Sequence, residues 1–147
     1  MLHVVLLAGG QSQRMLSDLP KALHALGGKP LLMHLVETIL DVQSTALSIV
    51  YNHACIREKL SQLDTVNWVL QPSSLGTGHA VAQVLPHLKQ DDSVLVLPGD
   101  MPLITSNTLK SFIQTTPLQA VGIITAKVAS PEGLGRIVRD SQRQIIG

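Results

Sequence analysis

Short, nearly unbroken apolar runs alternate along this chain with segments whose apolar residues return every third or fourth position. The runs at residues 4–7, 46–51, 66–70, 93–97 and 120–128 have the length of strands. Between them, Leu32, Leu35, Val36, Ile39 and Leu40 draw one stripe on a helix that Pro30 can open at its first turn. Val81, Val84, Leu85 and Leu88 repeat that spacing, and Pro86 is expected to end or kink the helix early. Leu109, Phe112 and Ile113 mark a third helix behind a cap at Ser106. Continuous apolar strands alternating with amphipathic helices predict an α/β fold, a mostly parallel sheet with helices on both faces. The closing stretch GRIVRDSQRQIIG reads as one strand, a polar turn and the start of a second strand. With no repeat, low-complexity tract or linker, residues 1–147 read as one domain.

Composition narrows the function. Apolar residues make up 45% of the 147 positions and charged residues 14%, enough burial to fold. A formal net charge of +1 with no basic run argues against nucleic-acid or anionic-membrane partners, so any anion site is local. Cys55 is the single cysteine, which excludes an internal disulfide and a thiolate metal cage, and it reads as a packing or plain surface residue. His3, His24, His34, His53, His79 and His87 show no paired metal-ligand spacing. The N-terminus lacks a basic region, and its apolar run is too short for a signal peptide or membrane span; a cytoplasmic location is expected.

Three loops that follow apolar runs carry the candidate chemistry, because ligands of open α/β sheets bind beyond the carboxyl ends of strands. In LLAGGQSQRMLSDLPKAL, Leu7 ends the first strand and Gly9 and Gly10 follow, with backbone that can approach a base or phosphate closely. Arg14 can grip phosphate oxygens with its planar fork, and Lys21 can bring a compact charge to the reacting atom. Alone, two glycines before a basic residue are equally an ordinary tight turn. In LQPSSLGTGHA, however, Gln71 offers an amide donor and acceptor suited to a pyrimidine edge, and Gly76, Thr77 and Gly78 leave room for the ring. LVLPGDMPLI then sets Asp100 at a strand end, where a carboxylate can ligate magnesium facing bound phosphates.

The segments LAGGQSQRMLSDLPKALHALGGKP, WVLQPSSLGTGHA, PGDMPLI and PEGLGRI together resemble, collinearly over essentially the whole chain, the uridylyltransferase domain of the bifunctional bacterial enzymes that make UDP-N-acetylglucosamine. The resemblance implies a Rossmann-like nucleotidyltransferase fold, incomplete at its C-terminus, with the acetyltransferase β-helix domain absent. It implies UTP and N-acetylglucosamine 1-phosphate as substrates and magnesium as cofactor, with a second polypeptide conceivable as the partner that completes the domain. Leu7, Gly9, Gly10, Gln71, Gly76 and Thr77 would receive the nucleotide, Arg14 the triphosphate, Lys21 the α-phosphate and sugar phosphate, Asp100 the metal, and Gly135 the amino sugar. His79, standing in LGTGHA, is the one histidine expected near the nucleotide, with no proton-transfer role.

The chain departs from that pattern in places. Ser12 and Gln13 replace the glycine and threonine of the family's GxGTRM loop, which here resembles the molybdenum-cofactor guanylyltransferases instead. Pro98 and Leu134 replace aromatic residues near the expected sugar site. Three readings therefore compete: an active or weakened uridylyltransferase, a non-catalytic UTP-binding remnant or half of a split enzyme, and a guanylyltransferase.

Overall fold

The computed structural model describes residues 1–10 and 15–146. Four strands, β1 (Leu2–Leu7), β4 (Ala46–Tyr51), β5 (Asn67–Leu70) and β6 (Ser93–Pro98), form one wholly parallel sheet in the order β5-β4-β1-β6. Helices α1 (Leu31–Leu40), α2 (Ala54–Lys59) and α3 (Thr77–Ala82) occupy the crossovers, and α4 (Ser106–Thr115) follows β6. The chain steps outward from β1 to β4 and β5, then returns to the other side of β1 with β6. The strand order thus reverses between β1 and β6, the place where such sheets open a crevice.

Alternation along β1 divides the core. Val4 and Leu6 face a large cluster with Leu32, Leu35, Val36 and Ile39 of α1, Ile56 of α2 and Leu109 of α4. Val5 faces a smaller cluster with Val50, Val69, Ala80 and Val84, under α3. Both faces carry helices as expected, but unevenly: Val94 and Val96 of β6 remain 40% and 38% exposed. The α1 stripe holds except at Leu40, which ends the helix in solvent.

Between β1 and α1 a 3-10 turn (Lys21–Leu23) leads into a two-residue hairpin, β2 (Ala25–Leu26) and β3 (Lys29–Pro30). Gly27 and Gly28, both at positive φ, supply the left-handed pair that so tight a turn requires. No helix among the described residues is long and apolar enough to cross a membrane.

Three expectations need correction. Residues 120–128 form no strand and are exposed. Apolar, β-branched residues become a strand only where an adjoining edge takes up their backbone groups, and this segment makes no ladder with β6. The cap of α4 is Thr105, whose Oγ1 accepts from the Thr108 amide at 3.2 Å, rather than Ser106. As expected of Pro86, the helix stops early: α3 ends at Ala82 with Val81 alone of its stripe, and Pro86 sits inside a separate 3-10 turn (Leu85–His87). The closing stretch does turn back on itself, pinned by Asp140 Oδ1 accepting from the amides of Gln142 and Gln144. Among the described residues its pairing is a single bridge, Arg139 to Ile145, with no extended strands, contrary to the strand, turn and strand expected.

At the end of the sheet away from the crevice, His3 is 2% exposed and its Nε2 lies 2.8 Å from the Ser48 hydroxyl. Burial lowers its pKa below the ordinary 6.5, with Asp92 opposing and His87 adding to the effect. A depressed folded pKa means that the unfolded chain binds this proton more readily, so the contribution to stability is full above pH 6.5 and is lost as pH falls through the folded value. Urea unfolding should therefore lose more stability between pH 7 and pH 5 in the parent than in a His3→Leu/Ser48→Ala double variant; parallel curves would remove His3 as the cause.

Candidate functional site

Hydrogen bonds continue past the strand ends and fasten the loops there. The Ala8 amide donates to Val50 O at 2.8 Å, the Gln71 amide to Tyr51 O at 2.7 Å and the Gly99 amide to Leu7 O at 2.8 Å. The loops after β1, β5 and β6 therefore leave the sheet side by side. Where β1 and β6 diverge lies a cleft of about 180 Å³ lined by Leu7, Ala8, Gly10, Lys21, Ala22, Thr77, Pro98, Gly99 and Asp100. Five of the expected residues, Leu7, Gly10, Lys21, Thr77 and Asp100, share this lining.

Lys21 reaches the cleft because its neighbours are anchored. Pro20 enters the 3-10 turn in an extended conformation, Ala22 and Leu23 bury their side chains, and the Leu23 amide donates back to Pro20 O at 2.9 Å. His24 Nε2 donates to Leu19 O at 3.1 Å and braces the segment before the turn. Lys21 Nζ then lies 2.6 Å from Asp100 Oδ2, joining residues 79 positions apart. Both side chains keep more than a third of their surface exposed, so this pair adds little to stability. What it does is hold a cation and a carboxylate together at the cleft mouth.

The glycine loop and the β5 loop are tied to each other. Asn52, just past β4, donates from Nδ2 to Gly9 O at 2.8 Å and to Ser74 Oγ at 3.0 Å, while its Oδ1 is buried without a partner among the described residues. Gln71 is 4% exposed and lies against Gly9, where an added Cβ would come within 2.7 Å of its Oε1. Gly76 opens α3 at φ +98°, which its lack of a side chain permits. Among the described residues, a Cβ on Gly10 would meet nothing within 4 Å.

Not every expected residue converges. Gly135 sits exposed in a segment without helix or strand and does not line the cleft. Arg14 lies outside the described residues. Conversely, Asn52 and Gly99 border the candidate site although the sequence reading gave them no role, and only Gly99, directly before Asp100, had a local signal. His79, the one histidine expected near the nucleotide, lies against Gln71. A shallower depression of about 420 Å³ beside α2, lined by Tyr51, Ala54, Arg57, Glu58 and Ser61, holds none of the expected residues.

No group of three or more His, Cys, Asp or Glu side chains among the described residues could enclose a metal. Asp100 is nevertheless a hard oxygen donor lining the cleft, and it suits magnesium, which is commonly held by one or two carboxylates together with substrate phosphates and water.

Comparison with known proteins agrees with this geometry. The chain is 41% identical over 99% of its length to the bifunctional protein GlmU of Idiomarina loihiensis, and 44% identical over 98% to that of Legionella pneumophila. It spans 32% of the length of each of these curated relatives. Among solved structures, a nucleotidyl transferase from Methanothermobacter (Mth528) superposes with a TM-score of 0.67 at 20% identity, covering 80% of this chain and 58% of that one. The MobA-like NTP transferase domain matches from the first strand onward, over residues 4–135. The chain belongs to the family of MobA-like NTP transferase domains.

Proposed function

We propose that the cleft binds UTP and that the chain acts in transfer of UMP to N-acetylglucosamine 1-phosphate, giving UDP-N-acetylglucosamine and pyrophosphate. The observation that carries this reading is the meeting of Lys21 and Asp100 at 2.6 Å on the rim of a glycine-bordered cleft, at the switch point of the sheet. It is supported by the similarity to the two GlmU proteins, whose length far exceeds this chain.

In this reading the uracil sits over Gly9 and Gly10 against Gln71, and the phosphates run toward Lys21. A phosphate oxygen of the sugar phosphate attacks the α-phosphorus in line. One oxygen–phosphorus bond forms as the bond to the bridging oxygen breaks, and pyrophosphate leaves with that electron pair. No protein nucleophile is required, because positioning and charge neutralisation dominate such transfers. Lys21 holds the α-phosphate and the sugar phosphate together, so that two anions approach without full mutual repulsion. Magnesium, held by Asp100 with the substrate phosphates, supplies further neutralisation of the leaving group when bound.

The test is calorimetry with UTP, CTP and GTP, followed by pyrophosphate release on addition of N-acetylglucosamine 1-phosphate and magnesium. UTP should bind tightest, since a buried amide facing the wrong base edge loses its partners. Tighter GTP binding would overturn the assignment in favour of guanylyl transfer. UTP binding without pyrophosphate release would leave a nucleotide-binding role and remove the catalytic one.

A further inference from the structure

We propose that His79 is a positioning residue that fixes the Gln71 carboxamide so that it shows the base only its oxygen, and thereby selects uracil over cytosine. The inference rests on the cleft being the UTP site, as above.

The orientation of Gln71 is settled by its partners. Its Nε2 lies 3.2 Å from Gly76 O and 3.2 Å from His79 Nδ1. A backbone carbonyl can only accept, so the amide nitrogen, not the oxygen, must face Gly76. Its second hydrogen then points at His79, and Nδ1 must be the acceptor nitrogen of that ring, with the ring proton on Nε2. On the other side of the ring, the half-buried Gln83 approaches Nε2 at 3.3 Å. An imidazole has at most one acceptor nitrogen, and the buried Gln71 takes it; Gln83 Nε2 donates instead to the His79 backbone carbonyl at 3.2 Å.

Both Gln71 hydrogens are therefore spent inside the protein. What remains is Oε1, which overhangs Gly9, where an added Cβ would come within 2.7 Å of it. An acceptor fixed there matches a ring N–H. Uracil has one at N3, whereas cytosine carries a lone pair at the same atom. Without an acceptor at position 79, one amide hydrogen loses its partner, and the carboxamide can turn to offer its NH₂ group to cytosine. Gly76 alone would oppose that turn.

The experiment measures Kd for UTP, CTP and inorganic tripolyphosphate in the parent, His79→Leu and His79→Asn, with thermal unfolding of each. Asparagine is chosen because its Oδ1 falls near the place of Nδ1 and can accept from Gln71. The expected result is a UTP-to-CTP preference at least tenfold lower in His79→Leu, largely restored in His79→Asn, with tripolyphosphate affinity unchanged throughout. An unchanged preference in His79→Leu would overturn the role of His79 while leaving the UTP site standing. A parallel loss of tripolyphosphate binding in both variants would make His79 a residue of the fold and likewise overturn it. A parent protein without preference for UTP would instead bring down the uridylyl reading itself.

Discussion

Replacing Lys21 with alanine should weaken UTP binding by about tenfold to a hundredfold, whereas replacing Asp100 with asparagine should slightly strengthen binding measured without a divalent metal. The opposite signs follow from the 2.6 Å contact between the two groups. Before nucleotide arrives, each neutralises the other. A bound phosphate competes with Asp100 for the Lys21 ammonium and is repelled by the same carboxylate. Losing one charge-assisted hydrogen bond costs about 1.5–3 kcal/mol, and every 1.4 kcal/mol is about tenfold in affinity. The exposed pair that Asp100→Asn disrupts holds only about 0.2–1 kcal/mol, so freeing Lys21 should gain less than about sixfold. With magnesium present the ranking should reverse, because the asparagine variant loses the carboxylate that holds the metal. Titrations of UTP in EDTA and in magnesium, with uridine as the phosphate-free control, separate these cases. Equal losses for UTP and uridine would point to damage to the fold, and weaker metal-free binding in Asp100→Asn would mean that the carboxylate does not compete for Lys21.

That contact also marks the limit of what the sequence reveals. Residues 4–7, 46–51, 66–70 and 93–97 read correctly as strands because strands of a parallel sheet are plain apolar runs, even where one side stays partly exposed as in β6. Candidate ligand residues at strand ends stood out for a related reason: glycines, Gln71 and Asp100 interrupt apolar runs where a core has no use for them. Which ends meet is a different matter. Lys21 and Asp100 become neighbours only because β6 returns to the far side of β1, and a list of strands does not contain that order. The place of His79 near the nucleotide was legible from LGTGHA, but its role was not, because a histidine in the first turn of a short helix has no signature until the side chain it touches is known. The β2–β3 hairpin has strands of two residues, too short to show a period. Residues 120–128 erred the other way, since a strand-like composition says nothing about whether an edge receives it.

Gly99 and Gly10 both border the cleft, yet alanine should act on them in different ways: Gly99→Ala on stability, Gly10→Ala on binding alone. A Cβ at Gly99 would stand 2.8 Å from Leu7 O and 3.3 Å from Ala8 Cα, both backbone atoms of the neighbouring strand end. Backbone cannot swing aside as a side chain does, and the Gly99 amide is itself bonded to Leu7 O at 2.8 Å. The ends of β1 and β6 must therefore part by several tenths of an ångström, a strain of the kind that costs about 1–3 kcal/mol in packed interiors. The same displacement moves Asp100 and the start of the glycine loop. Positioning errors near 1 Å can cost on the order of a hundredfold in rate, so turnover should suffer more than stability alone explains. At Gly10 the added methyl meets no atom of the described residues within 4 Å and should leave unfolding in urea unchanged. It would, however, project into the space given to the nucleotide, and UTP affinity should fall. Unfolding and UTP titration of both variants provide the check. A Gly99→Ala protein as stable as its parent would show that the strand ends can separate freely, and unaltered UTP binding by Gly10→Ala would place the nucleotide away from this loop.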